Sequence, residues 1–460
     1  MLLQTNTNQN RAVSIASLGL ASAVTVWIVW FITHVPWIGL PGSVSGVIVL
    51  IAWFSKAAWL LRGIESSRIT IGAASGFVTS LVSLLLLGSK LGQGGNDLIP
   101  SAGLITLGFL AVGIVVGLSA GALAGRLPAP LHRSDSLSQL GWVTVAAAAP
   151  LLFIGGLVTS TRSGMAVPDW PTTFSANMFL YPLGSAPADI FLEHSHRLFG
   201  TLLGLSTLVL MIFTLRSAPG TNDAAPSDAL RRAKVWSVIA FIAVVAQGVL
   251  GGMRVWRGST DLAKDAKLFS FTHGVFAQLI LAAIVVLAVY LWPVVRASSP
   301  DPSVPRARTL RAVSTAALHL TLLQLVLGAA YRHFGGNHAL WTHAGFSILV
   351  VVAAAMTGVY ASALPRPAVA CAEGLVRALR TAGKWQVALV ALQFLLGWAA
   401  FFVADADRSA AKPVEALIRT AHQANGAALL AVMVVVCVLA KRLCPKQPPV
   451  QTQSLPRPTM

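Results

Sequence analysis

The sequence predicts an all-α polytopic membrane protein: an eight-helix core of two parallel four-helix repeats, preceded by four additional transmembrane helices. Three observations carry this. The 460 residues are 55% apolar and only 10% charged, with a mean hydropathy of +0.74, unlike a soluble domain of this length. Twelve apolar stretches approach the roughly 20 residues needed to cross a ~30 Å hydrocarbon core. Four histidines, His196, His273, His343 and His422, recur with gaps of 77, 70 and 79 residues, each near the start of an apolar stretch.

The first four spans fall at about 14–33, 41–61, 69–89 and 100–124. Eight more follow at about 141–160, 190–215, 235–253, 268–292, 311–331, 339–361, 384–403 and 416–440. A polar segment beginning at Arg126, R-L-P-A-P-L-H-R-S-D-S-L-S-Q, separates the two sets and is the best domain boundary. The expected units are an accessory region at 1–130, an N-terminal half at 139–294 and a C-terminal half at 306–442.

The net charge of +18 sets topology rather than nucleic-acid binding, because the basic residues cluster in alternate short loops. Arg62 and Arg68, Arg231, Arg232 and Lys234, Arg306, Arg308 and Arg311, and Lys441 and Arg442 mark one side. The positive-inside rule then places both termini in the cytoplasm, in a bacterial plasma (inner) membrane, with the four histidines at the periplasmic ends of their helices. The opposite loops are poorer in charge, although 254–267 holds Arg254, Arg257, Lys264 and Lys267. Cys371, Cys437 and Cys444 fall at or near the cytoplasmic side with no metal-binding spacing, so no structural disulfide is expected. The polar N-terminus lacks a small-residue cleavage site and reads as neither signal nor transit peptide.

The alternate histidines lie 147 and 149 residues apart. The intervening helices repeat as well. Q-G-V-L-G-G-M-R runs from Gln247 to Arg254, Q-L-V-L-G-A-A-Y-R from Gln324 to Arg332, and Q-F-L-L-G-W from Gln393 to Trp398. G-G-L-V-T-S-T-R, from Gly155 to Arg162, is a looser copy. The unit is therefore a helical hairpin used four times. An even number of spans per half gives both halves one orientation. Gly251, Gly328 and Gly397 are expected to let helices approach closely.

Ionisable residues inside a membrane are costly and usually functional. Core packing offers no reason for one histidine to recur in four copies. Paired imidazoles across a helix bundle suit a six-coordinate haem iron; zinc favours closer, mixed ligand sets. Of the other histidines, His34 and His132 are expected at the surface, His319 mid-span, and His333 and His338 in or beside a solvated loop. His194 points away from the face of His196. Glu193, three residues before His196 and on its helix face, is the only carboxylate within the predicted spans; Asp189 and Glu415 fall just outside. It reads as a proton-handling group, against the alternative of a helix-dipole partner. Arg162, Arg197, Arg254, Arg332 and Arg419 are candidate partners for anionic propionates.

The stretch from Thr159 to Pro171 reads T-S-T-R-S-G-M-A-V-P-D-W-P. An E-x-x-H-R element follows from Glu193 to Arg197, then Q-G-x-L-G-G-x-R-V from Gln247 to Val255, and the later T-H-A-G and T-A-H-Q elements. Together these resemble the haem A synthase family. The resemblance covers about 139–442. It implies an oxidoreductase that oxidises a ring methyl of haem O to a formyl group, supplying haem A to terminal oxidases. By resemblance, His196 and His273 are ligands to the substrate haem O, His343 and His422 are axial ligands of a haem b cofactor, and Glu193 is the catalytic carboxylate. Haem O synthase, cytochrome oxidase assembly factors, membrane lipid and an unidentified electron acceptor are the implied partners; nucleic acid is not.

Two departures stand out. The loop at about 161–189 lacks the cysteine pair of some family members, so no thiol step occurs there. Residues 1–130 hold only Glu65 and Asp97 as acids, which excludes the aspartate-rich motifs of a haem O synthase. Three residues before each histidine the four copies read Glu193, Ser270, Leu340 and Arg419, so only the first half has a carboxylate there. The alternative reading is a bis-histidine b-type electron-transfer protein. Stacking two haems across the bilayer needs histidines about 13–14 residues apart on one helix; only His319 and His333 have that spacing. A transporter, suggested by the parallel repeat, leaves the histidines unexplained.

Overall fold

The computed structural model describes residues 2–64, 67–93, 96–130, 135–217, 228–258, 263–367, 370–403 and 412–445. Among them there is no strand, only isolated bridges, as expected where every backbone group must be satisfied within its own segment. The first region comprises α1 (Leu2–His34), α2 (Gly42–Leu61), α3 (Arg68–Leu91) and α4 (Ala102–Ala124). Next come α5 (Ser136–Ser160), α6 (Ala188–Arg216), α7 (Asp228–Gly258), α8 (Ala263–Leu291) and the short α9 (Pro293–Ala297). The last region is α10 (Ala307–Phe334), α11 (Asn337–Ser362), α12 (Glu373–Phe402) and α13 (Pro413–Leu443).

Twelve of these helices are long and apolar enough to span a membrane, matching the twelve predicted stretches. Several run well past their hydropathic limits. α7 has 31 residues, about 46 Å at the helical rise, so its polar ends project beyond the hydrocarbon. Large apolar side chains such as Leu104, Leu107, Ile348 and Phe402 are exposed, as a lipid-facing surface requires.

Contacts define two bundles. α5 packs on α6, α6 on α7, α7 on α8 and α8 back on α5; α10 to α13 close the same kind of ring. The bundles meet where α13 touches α5 and α8, and α10 touches α8. The boundary segment runs into α5 at Asp135, which caps that helix by accepting from the Ser138 amide and pairs with Arg296 at 2.8 Å. His132, expected at the surface, lies outside the described residues, as do Glu65 and Arg133.

The first four helices are not a detached domain. α1 packs against α2, α3, α5 and α6. Its Ser14 hydroxyl lies 2.7 Å from that of Ser136 on α5. Trp27 and Phe31 meet Phe199 of α6 edge-on, with ring centroids 5.5 and 6.1 Å apart. Here one expectation fails: His34 does not stand free at the surface. It ends α1, half-buried, with its ring stacked on Trp30 and Nδ1 2.9 Å from the Trp30 carbonyl oxygen. The hydropathic run stops just short of it, which hid it from the sequence pattern.

Trp27 is fully buried at this seam. Trp27→Ala is expected to destabilise the protein by about 3–5 kcal/mol in detergent unfolding. A loss under about 1 kcal/mol would mean that the seam is not tightly packed.

Candidate functional site

The four repeated histidines sit within about three turns of the N-terminal ends of α6, α8, α11 and α13. The bundles bring them together in two pairs. His196 and His273 have ring centroids 6.3 Å apart with planes at 71°. His343 and His422 stand 6.4 Å apart at 87°.

Each ring rests on a glycine of the preceding long helix. A Cβ added to Gly155 would come 2.9 Å from Cε1 of His196. The corresponding distances are 3.1 Å for Gly251 and His273, 2.8 Å for Gly328 and His343, and 3.3 Å for Gly397 and His422. Any side chain here crowds the ring, so the glycines set the depth to which each imidazole enters its bundle. The glutamine four residues earlier completes the motif. Gln247 Nε2 donates to the His273 carbonyl at 3.0 Å, and Gln324 Nε2 to that of His343 at 2.9 Å. Gln393 Nε2 instead lies 3.2 and 3.3 Å from the two ring nitrogens of His422, and its Oε1 accepts from Asn425 at 2.8 Å. The first copy has Leu151 at this position, the physical content of its looser match.

The rings fit a metal held between two ligands. A ligating imidazole nitrogen lies about 2 Å from its metal, so two rings on opposite sides of one ion have centroids roughly 6 Å apart. Nδ1 of His196, His273 and His343 is buried without a hydrogen-bond partner. Turning Nδ1 towards a carbonyl leaves Nε2 for a metal. No cluster of three or more His, Cys, Asp or Glu suited to a metal occurs among the described residues. The donor set is two histidines per bundle, which suits an axially ligated haem better than zinc.

Glu193 is 4% exposed and fully engaged. One oxygen accepts from Arg197 at 2.9 Å, the other from the Val167 amide at 3.0 Å. Arg197 also donates to the carbonyls of Asp169, Thr172 and Val167 at 2.7, 3.0 and 3.2 Å. The pair therefore fastens the loop at 161–187 onto α6. His194 turns the other way, as expected: Nδ1 lies 3.1 Å from the Thr173 hydroxyl and its ring is 5.5 Å from that of Tyr181. Trp170 covers Gly252, where an added Cβ would come 2.4 Å from the indole, and its carbonyl accepts from Trp256 Nε1 at 3.0 Å. The loop thus packs over the Glu193 turn of α6 and over Gly252 of α7, beside the His196–His273 pair.

Several expectations need correction. Glu193 is not the only carboxylate within a membrane helix. α13 starts earlier than its hydropathy suggests, which places Glu415 inside it, buried and paired with Arg419. His333 does lie beside the short loop, in the last turn of α10, but it is part-buried, with Nε2 3.6 Å from the Cβ position of Gly274. His319 faces outward, with Nδ1 2.7 Å from the Thr315 carbonyl oxygen.

The five arginines separate into groups. Arg197 and Arg419 already neutralise carboxylates. Arg254 donates to Ser270 Oγ at 2.8 Å, and Arg332 to the Gly156 carbonyl at 2.9 Å and Ser160 Oγ at 2.8 Å. Neither forms an ion pair among the described residues. Arg254 lies within electrostatic reach of His196 and His273, Arg332 of His422. Arg162 adopts φ of 59° immediately beyond the α5 C-cap. Adjacent glycines on α5 face both bundles: Gly155 meets His196, while Gly156 meets Thr420 and Gln423 on either side of His422.

The Asp169 carboxylate braces the loop by accepting from the Thr172 hydroxyl and from the amides of Phe174 and Ser175, the two amides each 2.8 Å away. Burial raises its pKa, but these bonds outweigh that effect and hold it below the ordinary 3.8. A lowered folded-state pKa means that the contribution is complete above about pH 4 and fades as pH falls through the lowered value. Asp169→Asn is expected to speed amide exchange at Phe174 and Ser175 by about three- to tenfold at neutral pH. Wild-type exchange rates would refute the brace.

Comparison with known proteins agrees with this geometry. The sequence model of a family described as cytochrome oxidase assembly protein matches residues 138–348. A haem A synthase of Rhodopseudomonas palustris (strain HaA2) is 29% identical over 242 residues, 46% of this chain and 60% of the relative. A haem A synthase of Lysinibacillus sphaericus (strain C3-41) is 28% identical over 198 residues, 42% of this chain and 58% of the relative. The chain thus spans about three-fifths of the length of these relatives. His196, His273 and His343 lie within the family match, whereas the first four helices precede it. Residues 138–348 thus resemble the cytochrome oxidase assembly protein family, and over part of its length the chain is similar to haem A synthases.

Proposed function

We propose that this protein is a membrane haem A synthase, oxidising a ring methyl of haem O to a formyl group to supply haem A to terminal oxidases. The carrying observation is the pair of imidazole pairs, at 6.3 and 6.4 Å, each ring seated on a glycine. In this reading His196 and His273 hold the substrate haem O, and His343 and His422 hold a haem b. Bound haem b supplies one-electron redox chemistry. The chain's own residues do the rest.

The assignment of halves rests on Glu193 and the loop. A methyl-to-formyl oxidation removes four electrons and inserts one oxygen, so protons must leave the reacting carbon. Glu193 is the carboxylate on the helix face of His196, and Arg197 holds it in place. The 161–187 loop excludes water above the same pair. Arg254 is the best-placed propionate partner in the first bundle and Arg332 in the second, because both direct donors at neutral acceptors. Arg162, Arg197 and Arg419 serve less directly. The units 1–130, 139–294 and 306–442 correspond to an accessory region, a substrate half and a haem b half. Both termini are assigned to the cytoplasm of a bacterial plasma membrane. Haem O synthase and oxidase assembly factors are the proposed partners.

Extraction of haems from the purified protein, with chromatography and mass spectrometry, tests the reading. Haem b together with haem O, a hydroxylated intermediate or haem A is expected. Haem b alone, in a host that makes haem O, would favour a bis-histidine electron-transfer protein. Glu193→Gln keeps the shape and one of the two acceptor oxygens, so haem b content should persist while product formation is lost; wild-type turnover would defeat the assignment. His343→Ala or His422→Ala is expected to deplete haem b, and unchanged haem b in both would overturn those ligands.

A further inference from the structure

The helices that precede the family match grip the segment that covers the His196–His273 pair. Near the end of α3, Gly88 and Gly92 lie one helical turn apart against the loop backbone. A Cβ on Gly88 would fall 2.2 Å from the Phe179 carbonyl oxygen, and one on Gly92 2.0 Å from that of Leu180. No side chain fits at either position, so the contact is backbone on backbone. Beyond α3, Asn96 Oδ1 accepts from the Asn177 amide at 2.9 Å. Lys90 Nζ stands 3.0 Å from the Cβ position of Gly184. α1 then holds the helix that follows the loop: Trp30 and Phe31 each meet the Phe191 ring at 5.8 Å, and Trp27 meets Phe199. Phe191 and Phe199 bracket Glu193 and His196 on α6.

The gripped segment continues directly into the cover of the site. Phe174 stacks on Tyr181 with centroids 5.6 Å apart, and Tyr181 meets His194. Thr172 and Asp169 are held by Arg197, and Trp170 lies over Gly252. The loop is thus fixed at one end by the Glu193–Arg197 pair and at the other by α3.

We propose that residues 1–130 act as an in-chain clamp, in which Gly88, Gly92 and Asn96 are positioning residues that hold the 161–187 loop closed over the His196–His273 site. As far as it concerns substrate, this rests on the proposed function. The clamp reduces the entropy lost when the loop orders around a bound substrate, and so acts on affinity.

The test uses the full chain in nanodiscs and compares Gly92→Val and Asn96→Leu with wild type. Amide exchange across 172–181 is read without added ligand. Haem O affinity is read by absorbance titration, and haem b content serves as an internal control. Both variants are expected to exchange about three- to tenfold faster and to bind haem O weaker by a similar factor, with haem b content unchanged. Asn96→Asp keeps the acceptor for Asn177 and is expected to restore both values, which a general loss of folding would not permit. Unchanged exchange would overturn the clamp. Faster exchange with unchanged haem O affinity would overturn the positioning role. If wild type itself binds no haem O, the functional reading fails while the exchange measurement still decides whether the clamp exists.

Discussion

A glycine lies beneath each paired imidazole, and the rest of the site depends on that contact. The His196 and His343 rings come so close to Gly155 and Gly328 that a single methyl would overlap them. Because lipid offers no hydrophobic drive for helices to associate, close packing at small residues has to hold them together. The same residue therefore joins a helical hairpin and seats its imidazole. Hydrogen bonds from Gln247 and Gln324 to the histidine carbonyls then fix the helix bearing each ring in register. Stability and the geometry of the paired imidazoles are set by one motif.

Glu193 carries a second, asymmetric constraint. Its bonds to Arg197 and the Val167 amide tie α6 to the loop above it. Breaking a buried ion pair is costly, so the seating of the loop and the Glu193–Arg197 pair stand or fall together. The other buried pair, Glu415–Arg419, is contained within α13 and holds no comparable loop among the described residues. The two bundles share a plan but differ in what covers it.

Much of this was legible in the sequence. Twelve hydropathic runs gave twelve helices because lipid leaves the backbone few alternatives. The recurrence of His196, His273, His343 and His422 pointed to paired ligands, and the recurring glycines to close approach. What stayed hidden depended on helix ends and on long-range contacts. Glu415 and His34 were misplaced because polar helix termini continue past the apolar run. The roles of Asp169 and Trp170 rest on a loop that has no periodicity to read. The gripping of Phe179 and Leu180 by Gly88 and Gly92 joins residues about ninety positions apart, and their spacing gives no hint of it.

The back-to-back glycines of α5 make that helix a party wall. Gly155 serves one chamber and Gly156 the other, while Arg332 crosses from α10 to take the Gly156 carbonyl. Duplication usually frees two copies to diverge or to be separated. Here severing the chain between the halves would strip α5 of Thr420 and Gln423 and leave a buried guanidinium without its acceptor. The two bundles form an indivisible pair, and a change on α5 that suits one chamber is judged at once by the other.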